Sequence, residues 1–186
     1  MIDQPILRTE RLLLRPFRLE DAPAVEKLAG TKEVADTTLT IPHPYPAGAA
    51  EGWIGTHQDE WESGRGANYA IIANDPEELI GTVGLSIDAR HRSAELGYWV
   101  GPAYWNRGYC TEAARAVVAM AFETLQLHRV ESRHFVRNPS SGRVMEKLGM
   151  MREGVQREAM LKGDRFEDLV LYAILSTDWT RDRAAS

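Results

Sequence analysis

At 186 residues, with 44% hydrophobic and 26% charged side chains, the chain is long enough to bury a full core as one domain. No stretch approaches the roughly 20 apolar residues of a membrane-spanning helix, and no charged-then-apolar leader opens the sequence, so no membrane association is expected. A net charge of −5 argues against a protein that coats nucleic acid. The single cysteine allows no internal disulfide, which makes a reducing cytoplasm the expected compartment.

Along the chain the pattern is mixed α/β. Residues 9–17 are predicted as a first strand, which Pro16 ends or confines to an edge. Residues 21–29 carry Ala24, Val25 and Leu28 at helical spacing, and Gly30 supplies the stop. A loop over 37–46 holds three prolines with His43 and Tyr45. A second helix, 47–62, places Ala50, Trp53, Ile54, His57 and Trp61 on one face. Two strands follow around the turn Asn74-Asp75-Pro76; the second alternates Leu79, Gly81, Val83, Leu85 and Ile87 on one face. A further strand over 94–100 runs into a Gly/Pro turn, a short loop containing Asn106 and Gly108, and a helix striped by Ala114, Val117, Val118, Ala121, Phe122 and Leu125.

Residues 129–137 then alternate as a strand. Asn138 at N-cap, Pro139 at N1 and Gly149 at C′ delimit a short helix. Residues 155–161 and 166–175 flank the hairpin turn Lys162-Gly163-Asp164, and the apolar run 169–175 is placed centrally in the sheet. Residues 1–180 read as one domain and 181–186 as a frayed polar tail.

Two segments carry chemistry. Where the loop around Gly108 opens a helix, unpaired backbone N–H groups and the helix dipole converge on one spot, a seat for a pyrophosphate. On the glycine alone, an ordinary strand–turn–helix connection is the commoner reading. In the second segment, 138–150, Asn138 caps the helix and Ser141 stands in its first turn, where it either faces solvent or donates to a neighbouring anion.

Taken together, these segments resemble the GNAT superfamily of acyl-CoA-dependent N-acetyltransferases. The residues are Y-W-V-G-P-A-Y-W-N-R-G-Y-C-T-E-A at 98–113 and N-P-S-S-G-R-V-M-E-K-L-G-M at 138–150. With the opening R-T-E-R-L-L-L-R-P-F and the closing D-L-V-L-Y-A, the match is closest to the RimJ/RimL branch, named for ribosomal-protein N-terminal acetyltransferases. The resemblance spans about residues 7–179. It implies a central, mostly antiparallel twisted sheet of six to seven strands with about four flanking helices. Trp105 stands where the superfamily usually has Gln or Arg, and Cys110 where it has Gly or Ala. Both fit a site that works through main chain.

The resemblance implies acetyl-CoA as co-substrate. Backbone N–H groups of Asn106, Arg107, Gly108, Tyr109, Cys110 and Thr111 would hold the pyrophosphate, and the main chain of Tyr98, Trp99 and Val100 would pair with the pantetheine arm. A backbone N–H near Val100 would meet the developing oxyanion. Asn138 and Ser141 match the family's N-x-x-S and are assigned to the cofactor site, with Ser141 hydrogen bonding the departing sulfur. Glu95 is the candidate base, or else a solvated or salt-bridged strand glutamate. An α-amino group, with a pKa of roughly 7.7–8.0, needs no dedicated base near neutral pH. His43 and Tyr45 are candidate acceptor-pocket residues, because the corresponding loop faces substrate in relatives.

His134 reads as a packed histidine, Trp53 and Trp61 as core, and Cys110 has no His-Asp/Asn arrangement that would make it a nucleophile. Five histidines and one cysteine form no ligand cluster in sequence, so no metal is expected. The favoured function is N-acetylation of a protein N-terminal amine by direct attack in a ternary complex. A small amine such as an antibiotic, polyamine or amino acid is the alternative acceptor, and a non-catalytic acyl-CoA-binding module is the alternative of another class. A homodimer follows only from the family.

Overall fold

A computed structural model describes residues 3–179. The predicted strand over 9–17 is instead a hairpin of β1 (Leu7–Arg8) and β2 (Leu12–Arg15). Thr9 makes the turn: its N–H donates to the Leu12 carbonyl at 3.0 Å, and its Oγ1 accepts from the Leu12 N–H at 3.0 Å. Pairing stops before Pro16, which has no N–H to give. A single 3₁₀ turn, in which Asp21 pairs with Arg15 at 2.7 Å, leads into α1 (Ala22–Ala29).

The short helix α2 (Lys32–Thr37) is missing from the predicted set. With only Val34 and Ala35 buried in six residues, it is too short for a periodic stripe to register. Next come α3 (Ala49–Glu62), then three antiparallel strands: β3 (Gly66–Asn74), β4 (Glu77–Asp88) and β5 (Ser93–Val100). A register shift at Ile71/Ile72 interrupts the predicted alternation of β4. Ile80, not Leu79, therefore joins Val83 and Leu85 in the main core, while Leu79 packs against the opposite face.

The chain continues through α4 (Tyr109–Glu123), β6 (Arg129–Phe135), α5 (Pro139–Lys147) and the long hairpin of β7 (Met151–Lys162) and β8 (Arg165–Leu175). Together the strands form one eight-stranded sheet in the order β1-β2-β3-β4-β5-β6-β8-β7. The count exceeds the six to seven expected because the N-terminal segment folds back on itself. The apolar strand β8 is interior, between β6 and β7, but lies only one strand from the edge. The predicted tail 181–186 lies outside the described residues.

Each face of the sheet carries its own core. Ala113, Ala114, Val117, Val118 and Ala121 of α4 are fully buried against Leu12, Leu14, Val83 and Leu96 on one face. The small alanines let this helix lie close to the strands. On the other face Ala22, Val25, Ala29, Ala50 and Ile54 of α1 and α3 form a second cluster that Trp53 and Trp99 flank.

Candidate active site

One pair of strands runs parallel, β5 with β6, joined by the crossover helix α4. The two are in register only over Ser93–Glu95 and Arg129–Glu131, so beyond Glu95 the sheet splits into a notch. Ser132 Oγ spans its base, donating to the Leu96 carbonyl at 2.8 Å. Gly101 N–H donates the other way, to Ile80 on the β4 side, at 2.9 Å. Main-chain groups alternate sides along a strand, so the N–H groups of Tyr98 and Val100 face the notch. The Val100 carbonyl is already taken by the Trp105 indole N–H at 2.8 Å. Trp105 thus pins the following loop to the end of β5, a side-chain function that its position in the motif does not reveal.

That loop is built to present N–H groups. Asn106 and Gly108 both have positive φ, 60° and 82°, and Gly108 is the N-cap of α4 without a side-chain cap. Among the described residues, no N–H from Asn106 to Thr111 has a main-chain acceptor; the first such bond is from Glu112 to Gly108, at 3.0 Å. The N-terminal hairpin braces the loop from outside. Arg11 donates to the Arg107 carbonyl at 2.9 Å, pairs with Glu112 at 2.6 Å and lies 4.8 Å from the centre of the Tyr109 ring. Burial raises the Glu112 pKa, but hydrogen bonds from Thr9 and Arg11 outweigh it and hold the carboxyl below its usual range. This free cluster of N–H groups at a helix N-terminus fits a diphosphate.

On the core side of the notch, Tyr98 and Ser141 meet. The Tyr98 hydroxyl donates to the Ser141 carbonyl at 2.9 Å and lies 3.0 Å from Ser141 Oγ. Burial drives the Tyr98 pKa well above its ordinary value, so this phenol stays protonated at any physiological pH. Asn138 Oδ1 accepts from the Ser141 N–H at 3.4 Å and fixes the first turn of α5. The Cys110 thiol is pushed up to about 12 by burial, which leaves it inert as a nucleophile. His134 is packed: Nδ1 bonds the Phe135 carbonyl at 2.8 Å, its ring lies 5.8 Å from Tyr172, and Nε2 is buried without a partner against Gly142.

The opposite face of the notch opens into a cleft of about 780 Å³. Its walls are the segment 37–46 after α2, Trp53 of α3, and the tips of β4, β5 and β6. Tyr45 lines this cleft, whereas His43 is exposed and does not; Trp53, expected in the core, does. Along the floor, Glu95, Gly97 and Trp99 point the same way by alternation, and a Cβ on Gly97 would meet nothing within 4 Å. Glu95 is held by Arg133, with Nε to Oε1 at 2.9 Å and Nη2 to Oε2 at 3.1 Å. Glu95 thus stands on the cleft floor as an ion-paired glutamate. Asn68 and Glu60 join the far wall, linked by an amide-to-carboxylate bond of 2.9 Å. Arg133, Asn68 and Glu60 escape motif reasoning because three separate elements bring them together. Among the described residues, no group of His, Cys, Asp or Glu is arranged to hold a metal.

The geometry is a notch between parallel strands, with a cluster of free N–H groups at one end and a cleft at the other. The acetyltransferase (GNAT) domain model matches residues 11–151. The chain belongs to the GNAT acetyltransferases. N-acetyltransferase YoaA of Bacillus subtilis is 33% identical over 172 residues, covering 92% of this chain and 97% of its own length. The ribosomal protein uS5-alanine N-acetyltransferase of Escherichia coli is 27% identical over 187 residues, covering 95% and 94%. A GNAT-family acetyltransferase from Bacillus anthracis superposes with a TM-score of 0.82 at 28% identity, over 93% of this chain and 99% of that one. This acetyltransferase is therefore an acetyl-CoA-dependent enzyme acting on nitrogen, and its relatives include the ribosomal-protein enzymes. Among its described residues, no helix is long and apolar enough to cross a membrane.

Proposed function

We propose that this acetyltransferase modifies a primary amine, with a protein N-terminal α-amino group as the favoured acceptor. The observation that carries the reading is the notch beyond Glu95: it joins the diphosphate seat on one side to the open cleft on the other. An extended chain end fits a cleft of about 780 Å³ bounded by a loop and a bare strand floor at Gly97. The E. coli relative that covers 94% of its length is named for acting on an alanine of ribosomal protein uS5, which supports the same acceptor class.

In this reading acetyl-CoA supplies the activated thioester, and the residues of the chain hold and orient it. The N–H groups of Asn106–Thr111 bind its diphosphate. The main chain of Tyr98–Val100 takes its arm, and the Val100 N–H donates to the carbonyl oxygen where charge develops. As the amine nitrogen bonds to the carbonyl carbon and the C–S bond breaks, the Ser141 hydroxyl, oriented by Tyr98, hydrogen bonds the sulfur. A thiol with a pKa near 8.5 leaves without a strong acid. The α-amine loses its proton to water, while Glu95 with Arg133 fixes the charge of the cleft wall instead of serving as base.

Release of free CoA, measured with N-terminal peptides and with small amines at matched concentrations, tests the reading. Turnover is expected on peptides bearing a free α-amine and is expected to vanish when that amine is blocked. Turnover confined to polyamines or amino acids would replace the acceptor assignment, and saturable acetyl-CoA binding with no turnover on any amine would remove catalysis from the reading.

A further inference from the structure

The acceptor wall, residues 36–41, has no strand to pair with, yet its main chain is fixed from across the sheet. Arg137 Nη1 donates to the Asp36 carbonyl at 2.6 Å, Asn138 Nδ2 to the Thr37 carbonyl at 3.2 Å, and Lys162 Nζ to the Ile41 carbonyl at 2.6 Å. The donors follow β6 or end β7, about a hundred residues or more further along the chain. Each is itself held or desolvated. Arg137 is paired with the buried Glu167 at 2.8 Å and lies 4.6 Å from the centre of the Phe135 ring. Asn138 spends its other end on the Ser141 N–H. Burial lowers the Lys162 pKa, with Arg137 adding to the effect and Asp36 opposing it.

Among the described residues, no backbone hydrogen bond joins 39–41 to any strand, and the Thr38 N–H only closes α2 onto Val34. Without the three side chains, the end of α2 and the loop after it would be held only by helical bonding and by the packing of Ile41 against the second cluster. Ordering that loop when the acceptor arrives would cost conformational entropy for each residue fixed.

We propose that Arg137, Asn138 and Lys162 are positioning residues that preorganise the acceptor wall against the helix carrying Ser141. Asn138 is the joint, because one amide group caps the cofactor-side helix through Oδ1 and tethers the acceptor-side loop through Nδ2. Both of its ends are engaged by protein, so its part is to set the distance between the two half-sites. This inference rests on the cleft being the acceptor site. The anchoring itself does not depend on which amine enters.

Two substitutions separate the anchor from general stability. Lys162→Met keeps the aliphatic stem and removes the donor. Asn138→Asp keeps an N-cap oxygen of equal rank and removes the amide donor to Thr37. Amide hydrogen exchange on the substrate-free protein is expected to accelerate over residues 36–45 in both variants and to stay unchanged in α4. Steady-state kinetics of Lys162→Met with an active acceptor are expected to show its KM raised about tenfold with kcat nearly constant. Calorimetry on Lys162→Met is expected to return the parent acetyl-CoA Kd, and Lys162→Arg should restore slow exchange. Parent-like exchange over 36–45 in both variants would overturn the proposal, as would an acetyl-CoA Kd that rises in step with the acceptor KM. The exchange readout needs no acceptor, so a failed search for one would count against the proposed function and leave the anchor tested.

Discussion

Ser141 shows how much a single side chain's meaning depends on its neighbour. In sequence it is a first-turn serine with two readings, and its partner Tyr98 lies 43 residues away. The buried phenol donates to the Ser141 carbonyl, which leaves the serine to donate its own proton outward or to Tyr98. Ser141→Ala is therefore expected to lower kcat about tenfold or more while acetyl-CoA affinity changes less than twofold, since one hydrogen bond to a charged sulfur contributes about 1.5–3 kcal/mol. Pre-steady-state and calorimetric measurements on that variant decide the matter: an equal loss in both, or in neither, removes Ser141 from the leaving-group step. Glu95 carries the opposite lesson. Alternation places it on the cleft side of β5, but Arg133, which occupies both of its oxygens, comes from a strand that only the crossover brings alongside.

Among the elements, the loop and first turn of α4 were the most legible. A glycine at an N-cap with positive φ, followed by an alanine-rich stripe, specifies a helix start whose N–H groups are unclaimed. Bracing of Glu112 by Arg11 was not legible, because the hairpin that delivers Arg11 was read as one straight strand. If the unclaimed N–H groups seat the diphosphate, Gly108→Glu is expected to abolish acetyl-CoA binding by placing a carboxylate among them. Gly108→Asn, which tolerates the left-handed backbone and adds no charge, is expected to bind within about tenfold of the parent. Calorimetric affinity for Gly108→Glu equal to the parent's would move the diphosphate seat elsewhere. The bulge at Ile80 is similarly invisible to a period-two pattern, since one inserted residue exchanges the faces of everything before it.

The molecule as a whole should be acid-sensitive through a buried histidine behind the cleft wall. His57 is 7% exposed, has no hydrogen-bond partner at either ring nitrogen, and packs edge-on to Trp53 with centroids 4.4 Å apart. Burial lowers its pKa from 6.5 to about 4, with Glu60 opposing weakly. Between those values the unfolded chain holds the extra proton, so stability present above pH 6.5 is lost as the pH falls toward 4. From pH 7 to pH 5 this one group should cost about 2 kcal/mol. Urea unfolding of the parent and of His57→Leu at both pH values measures it: the variant should lose about 2 kcal/mol less than the parent on acidification. An equal loss in both would mean that other groups set the acid response.

What the chain of residues carried unaided was local and periodic: most helices and strands, the caps at Asn138 and Gly108, and the motif order that marks a GNAT acetyltransferase. These follow from contacts within a few residues, where hydrophobic spacing and backbone preference dominate. The notch, the cleft and the anchored wall were decided only by tertiary structure. A parallel pairing that ends at Glu95 and the Tyr98–Ser141 contact join segments far apart in sequence, and so do bonds that reach 101 residues from Arg137 and Asn138 and 121 from Lys162. Nothing in local propensity encodes such distances. They arise because segments far apart in sequence must each bury an apolar face on the same twisted sheet.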